Sequence, residues 1–367
     1  MAKFTCPFCI NEYKLSKVEY RCPDCGTKSE PKSAEREPIQ CKNYKCGKLA
    51  TLRTCPSCRA EIPKTVLETS NLPFSIVGVS NSGKTNYITV MLEELRIQAG
   101  LGLALVAQNK ETSSHQTANR DLIYRQHVPP AATEAGARFP QIWSIRKVPK
   151  NSGNHVPTYT FTIFDGAGED HENNLDISSP VCRYINASKA IMLTIDPLVL
   201  SIIRRGNFVD PDTMRNSLGG NLGGGVHDAE GVMNRVAEYI KVARGIKSTR
   251  RLDVPVAVVL TKFDTLLAHG GFAASALIRD RGLIFRDGKL NMTEIEQVHE
   301  EIRNWLYSIQ EGAFVNAVQT HFKKFYFFGV SSFGAPPEAG QKLPNPIRPH
   351  RVLDPILWLF KNAGFID

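Results

Sequence analysis

The chain has 367 residues, of which 42% are apolar and 22% charged; these ordinary globular proportions exclude a disordered or fibrous protein. Its formal net charge is +9, with the basic residues spread along the chain instead of gathered in one block, so charge alone makes nucleic acid only a minority partner. The best apolar run, 190–203, is too short for a membrane span and contains Asp196 and Pro197; the start Met1–Cys6 lacks a signal peptide's apolar core, so a cytoplasmic protein with no membrane span is expected.

Residues 1–62 read as a separate small module, because eight of the nine cysteines lie before residue 59. Cys6/Cys9 and Cys22/Cys25 form one pair of knuckles, Cys41/Cys46 and Cys55/Cys58 a second, with a polar linker, 29–37, between them. Two such turns bring four sulfurs to one tetrahedral ion, so each adjacent pair is expected to close one four-cysteine site, and the module to hold two Zn2+. Iron in a rubredoxin-like site is the alternative. A segment this small has too little core to fold alone, and metal binding would supply the stability. Two tetrathiolate zinc sites would bring the net charge of +9 down to about +5. Cys182, set among apolar residues, reads as a core residue.

The main domain is expected over 70–367. A short apolar run (Phe74, Ile76, Val77) leads into Gly78-Val79-Ser80-Asn81-Ser82-Gly83-Lys84-Thr85, and Ile88, Met91, Leu92 and Leu95 then recur at helical spacing. This is G-x-x-x-x-G-K-[ST] between a strand and a helix, the P-loop. Backbone N–H groups from Gly78 to Gly83 can cradle phosphate oxygens, Lys84 can reach the β- and γ-phosphates, and the Thr85 hydroxyl can ligate Mg2+. Next, 101–157 is mixed, with a polar helical segment over 113–126 and the break Pro129-Pro130. Runs 139–147 and 158–165 read as a strand hairpin, 190–195 as a buried strand, and the glycine-rich 205–227 as a loop insertion. A helix carrying Val232, Val236 and Ile240, a strand over 254–260, a helix capped by Thr293 and Glu296, a strand over 325–330 and a last helix capped at Asp354-Pro355 complete the chain. Alternating strands and helices predict an α/β, P-loop NTPase three-layer fold with a mostly parallel sheet.

Three strand ends would meet the nucleotide on one sheet edge. Asp165 can hold Mg2+ through water and Gly168 can offer its N–H to the γ-phosphate. In Thr261-Lys262-Phe263-Asp264 a carboxylate can accept both N1–H and N2–H2 of guanine, a donor pair adenine lacks, while the Lys262 stem covers the base. Ser331, after the last strand, can back the base. Asp196, after its own strand, reads as a helix cap.

This order of P-loop, D-x-x-G, [NT]-K-x-D and a final small-residue loop resembles the Ras-like GTPases of the translation-factor class, over roughly 72–365. The resemblance implies GTP/GDP with Mg2+, Thr133 as the switch I threonine, and Asp165 and Gly168 as switch II. Thr261 stands in place of the usual Asn. Glu169 stands where many members carry a Gln that orients water, and a carboxylate cannot donate to the γ-phosphate, so hydrolysis is expected to be slow or to use another residue. Residues 351–359 together with the knuckles resemble bacterial double-GTPase-type proteins of conflict or defence systems. The expected function is a GTP-hydrolysing switch with a partner-docking zinc module. The alternatives are an ATP-dependent P-loop enzyme or kinase, and a zinc-dependent nucleic-acid-binding protein.

Overall fold

The computed structural model describes residues 3–30, 39–69, 71–78, 82–131, 140–148, 156–165, 180–200, 203, 229–268, 271–280, 284–286 and 289–367. A seven-stranded sheet organises the chain: β1 (Asn71–Gly78), β2 (Leu103–Ala107), β3 (Gln141–Lys147), β4 (Thr158–Asp165), β5 (Ala190–Ile195), β6 (Val256–Leu260) and β7 (Phe325–Gly329), in the order β7-β6-β5-β1-β4-β3-β2. Strands from β7 across to β4 pair in parallel, whereas β3 runs antiparallel to both β4 and β2.

The sheet is buried on both faces, which is why β5 (Ala-Ile-Met-Leu-Thr-Ile) and β6 (Val-Ala-Val-Val-Leu) are almost continuously apolar. Successive residues point to opposite sides. Ile76, Met192, Val259 and Phe328 join one core with helix α1 (Lys84–Ile97) and, at the C-terminus, α8 (Asp354–Asn362). Val77, Leu193, Val258 and Phe327 join the other with α3 (Pro180–Ala187), α4 (Ala229–Ala243), α5 (Phe263–Ala268), α6 (Met292–Ser308) and α7 (Gly312–His321). This is the three-layer fold of a P-loop NTPase.

Four expectations need correction. The stretch 101–157 contains an edge strand, β2, that the residue pattern does not reveal; its burial alternates, but the outward positions Ala104 and Val106 are as apolar as the inward Leu103, Leu105 and Ala107, so no polar alternation marks it. The polar helix there ends at Gln126 as expected, α2 (Lys110–Asp121) continuing as a π turn over Leu122–Gln126, but it starts three residues earlier, capped by Asn109, whose side chain accepts from Thr112 N at 3.0 Å. Helix α6 starts two residues early: Asn291, not Thr293, is its cap, its side-chain oxygen accepting from Glu294 N and its side-chain amide donating to the Glu294 carboxylate, both at 3.3 Å. Asp354 does not cap α8; it lies in the first turn and accepts from Arg351 Nε at 2.6 Å, while the same guanidinium reaches Glu294 and the carbonyls of Leu277 and Asp280. The predicted insertion at 205–227 lies outside the described residues.

Before the sheet, short hairpins frame the cysteine knuckles. Lys3–Thr5 pairs with Glu12–Lys14, Ile39–Gln40 with Leu49–Ala50, and Glu19–Arg21 with both Lys28–Ser29 and Leu52–Thr54. Ser29, expected to start a linker, is instead buried in its strand and accepts from Lys42 N at 3.0 Å. Phe4, Val18, Ile62 and Val66 pack against Ile142 of β3, and Asn71 Nδ2 donates to Thr5 O at 3.3 Å. The cysteine segment thus shares a core with the edge of the sheet.

Candidate functional site

Two constellations stand out, one at the C-terminal ends of the parallel strands and one among the cysteines.

The first begins where β1 ends. Gly78 lies so close to β5 that a Cβ on it would sit 2.1 Å from Thr194 Oγ1 and 2.5 Å from Thr194 O, so only glycine fits. Gly83 has φ +74°, the left-handed region that glycine enters without strain, and turns the chain into α1. Lys84 opens the helix and folds back, Nζ donating to Gly78 O at 3.1 Å, with Thr85 next to it. Ser82 Oγ lies 3.1 Å from Thr194 Oγ1. A 14-residue helix aims its N-terminal end and positive dipole at this loop, the arrangement that suits an anion.

The second strand end closes on the first. The Thr261 hydroxyl donates to Ser82 O at 2.7 Å, with Ile195 O at 3.1 Å as its other acceptor. Thr261 therefore ties the segment after β6 directly to the phosphate-type loop. Lys262 has φ +49°, and its Nζ lies 2.6 Å from Oδ2 of the fully buried Asp196. Asp264 sits in the first turn of α5. Burial pushes its carboxyl above the ordinary range; hydrogen bonds from the Ser331 hydroxyl and its own N–H and the Lys262 charge oppose that, and the Asp196 charge adds to it. Ser331 is itself fixed: its N–H donates to His350 O at 3.0 Å, and its Oγ accepts from Gly334 N at 2.8 Å.

The structure thus brings Gly78, Ser82, Gly83, Lys84, Thr85, Thr261, Lys262, Asp264 and Ser331 to one edge. Asp165 ends β4 in register with Ile76 of β1. Ser80, Asn81, Thr133, Gly168 and Glu169 lie outside the described residues. Asp196 does cap the turn that follows it, accepting from Leu198 N at 2.9 Å, but its ion pair with Lys262 goes beyond the sequence expectation. An Asp directly after a buried strand is the signal that could have found it. Thr194, inside an apolar strand, offers no such signal.

The cysteine sites differ from expectation. The sulfurs group as Cys6, Cys9, Cys55 and Cys58, and as Cys22, Cys25, Cys41 and Cys46, all within 4.8 Å of one another in each group. The outer knuckles pair and the inner ones pair, so the adjacent pairing expected from the sequence is wrong. The cause is strand direction. Glu19 pairs with Thr54 and Arg21 with Leu52, antiparallel, which carries Cys55 toward the first knuckle and leaves Cys22 at the Cys41–Cys46 end. Closest cross-knuckle distances are 3.8 Å (Cys6–Cys58), 3.7 Å (Cys9–Cys55), 3.7 Å (Cys22–Cys46) and 3.5 Å (Cys25–Cys41). A tetrahedron with Zn–S bonds of about 2.3 Å has S–S edges of about 3.8 Å, so both donor sets fit a tetrahedral metal held by four thiolates. Cys182 is buried in the core, as expected.

No known family's sequence profile matches the chain. SaeC of Mycolicibacterium smegmatis, provisionally named an ESX-1 scaffolding and assembly protein, is 24% identical over 336 residues, 85% of this chain and 80% of its own. Solved structures similar to the chain include the small GTPase Arl6 of Trypanosoma brucei with a nucleotide analogue, at 12% identity over 80% of this chain and 98% of that one, with a TM-score of 0.33. Another is the GTPase-like domain of Saccharomyces cerevisiae Ski7 bound to GDP and phosphate, at 13% identity over 80% of this chain and 50% of that one, also with a TM-score of 0.33. At such scores the likeness carries no inference about function.

Proposed function

We propose that the protein binds a guanine nucleotide with Mg2+ and acts as a GTP-hydrolysing switch, its two four-cysteine sites holding zinc. The observation that carries this is the Thr261–Ser82 hydrogen bond of 2.7 Å, which fastens a base-reading segment ending in Asp264 to the phosphate loop. A ligand held there by its phosphates would meet the Asp264 carboxylate with its base, and paired N–H donors of guanine answer a carboxylate. Lys84 and the N–H groups of the loop would hold the β- and γ-phosphates, Thr85 and Asp165 the magnesium. Thr133, Gly168 and Glu169 would complete the γ-phosphate side, and GTP would order those loops while hydrolysis releases them. The setting would be the cytoplasm, with a protein partner at the cysteine module; the name of the SaeC relative suggests assembly scaffolding, and the double-GTPase resemblance a conflict system.

The test is equilibrium binding of GTP, GDP and ATP to the full chain, with zinc and iron measured on the same sample. Guanine nucleotides should bind and ATP should not, Lys84→Ala should abolish binding, and about two zinc ions per chain should be found. ATP binding as tight as GTP would sink the guanine reading.

A second reading has one observation behind it. The widened second-site knuckle projects Tyr44, 87% exposed with Lys45 over its ring, between exposed Lys42 and Lys48. A basic, aromatic tip suits single-stranded nucleic acid. Oligonucleotide binding that weakens steeply with salt and is lost in Tyr44→Ala would support it; no binding at low salt would dismiss it.

A further inference from the structure

Asp196 belongs to neither the phosphate loop nor the base-reading segment, yet it is fully buried and holds the lysine of that segment. A buried carboxylate needs a partner for each oxygen. Here Oδ1 accepts from Leu198 N at 2.9 Å, closing the turn Pro197–Val199, and Oδ2 receives Lys262 Nζ at 2.6 Å. The backbone of Lys262 is held just as firmly. Its φ of +49° is a conformation that non-glycine residues seldom adopt, and the residues on either side are pinned to the sheet, Thr261 N to Ile195 O at 2.9 Å and Phe263 N to Val330 O at 3.0 Å. The lysine is therefore fixed at both ends, and its four-carbon stem between them has little freedom left.

We propose that Asp196 is a positioning residue for the nucleotide base: by anchoring the Lys262 ammonium it stretches the lysine stem into a preformed apolar wall on which the base rests. This rests on the reading of Thr261–Asp264 as the base-binding segment. A free lysine would lose its rotamer freedom when the ligand arrives, and that loss would count against affinity; an anchored one has lost it at folding. Asp264 distinguishes guanine from other bases, whereas Asp196 acts through Lys262 on the stacking surface that every purine uses. Removing it should therefore weaken binding without changing base preference.

A double-mutant cycle on the full chain separates this role from neutralisation of a buried charge. Asp196→Asn is the informative variant, because its amide oxygen still accepts from Leu198 N while its NH2 group faces the ammonium and cannot accept from it. GDP affinity and the unfolding midpoint without nucleotide are measured for the wild type, Asp196→Asn, Lys262→Met and the double variant. Each single change should weaken GDP binding about tenfold, and in the Lys262→Met background Asp196→Asn should alter it by less than about twofold, the signature of residues acting as one unit. Effects that multiply, or an Asp196→Asn protein that binds GDP as the wild type does, overturn the proposal while leaving the base-site reading intact. A wild-type chain that binds no GDP overturns the base-site reading itself. If Asp196→Asn does not fold, Lys262→Arg and Lys262→Met decide: arginine, which can still pair with Asp196, must keep affinity within about threefold while methionine loses it. Equal losses overturn the proposal.

Discussion

Tyr184 lies flat on Phe164, with ring centroids 4.1 Å apart and planes 10° from parallel, and its hydroxyl donates to the carbonyl of Pro7 in the first cysteine knuckle. Phe164 is the residue before Asp165, so the outer four-cysteine site is joined through one tyrosine to the C-terminal end of β4. Ile10, at the end of the same knuckle, packs against the core around Tyr184. The cysteine segment is thus not a tethered accessory. Stripping the metal with a strong chelator should lower the melting temperature of the whole chain in a single transition. Tyr184→Phe keeps the stack but leaves a buried carbonyl unpaired, and should cost about 1–3 kcal/mol in denaturant unfolding. A main transition indifferent to chelation would contradict this coupling.

The nested cysteine pairing makes a sharp stoichiometric prediction. Replacing Cys6 and Cys58 together by Ser removes two ligands from one site and should leave one metal per chain by elemental analysis. Replacing Cys6 and Cys22 together cripples both sites, and little metal should remain. With adjacent pairing the outcomes would be reversed: Cys6 with Cys22 would spare one metal, and Cys6 with Cys58 would spare none.

His299 carries a pH prediction. Its Nδ1 accepts from Phe327 N at 3.0 Å on the outer edge of β7, and burial, with the Arg303 charge second, depresses its pKa to about 4 from the ordinary 6.5. The unfolded chain therefore takes up this proton between about pH 6.5 and 4 while the folded chain refuses it, so stability falls as pH drops through that window. The full effect is on the order of 3 kcal/mol. Urea unfolding from pH 7.5 to 4 should show this loss, and a His299→Gln protein, less stable at neutral pH, should show a flatter acid limb. Equal slopes for both proteins would assign the acid loss to other groups.

In the proposed switch, the carboxylate of Glu169 would accept a hydrogen bond from water but would have no donor for the γ-phosphate. Multiple-turnover hydrolysis should therefore be slow, and Glu169→Gln, which restores a donor, should raise it by at least about tenfold with GTP affinity little changed. A fall in rate on that substitution would show the carboxylate itself to be the productive group.

Much of this architecture is legible in the sequence because the signals are local. The P-loop spacing, the runs of β5 and β6 buried on both faces, and the hairpin of β3 and β4 each depend on residues close together in the chain. What is not legible depends on partners distant in sequence. β2 is an edge strand whose outward residues, Ala104 and Val106, are apolar like its inward ones, so it lacks the polar alternation that would reveal it. Which knuckle meets which is set by the register of Glu19–Arg21 against Leu52–Thr54, about thirty residues away, and spacing alone cannot supply it. Asp354 resembles a cap because Asp-Pro often begins a helix, but the buried Arg351 claims its carboxylate. At the site, Lys262 and Asp264 follow from a motif, whereas the roles of Thr194 and Asp196 emerge only once β5 is seen beside β1 and β6.

The central claim is that Asp264, tied through Thr261 to the loop that ends in Lys84, reads guanine. The most direct measurement is calorimetric titration of the wild-type chain and of Asp264→Asn with GDP, ADP and XDP in the presence of Mg2+. The wild type should prefer GDP to ADP by at least about a hundredfold, and Asp264→Asn should lose GDP by a similar factor while gaining XDP, because an amide can donate where xanthine presents an oxygen. Equal binding of ADP and GDP by the wild type, or a base preference that Asp264→Asn leaves unchanged, would contradict it.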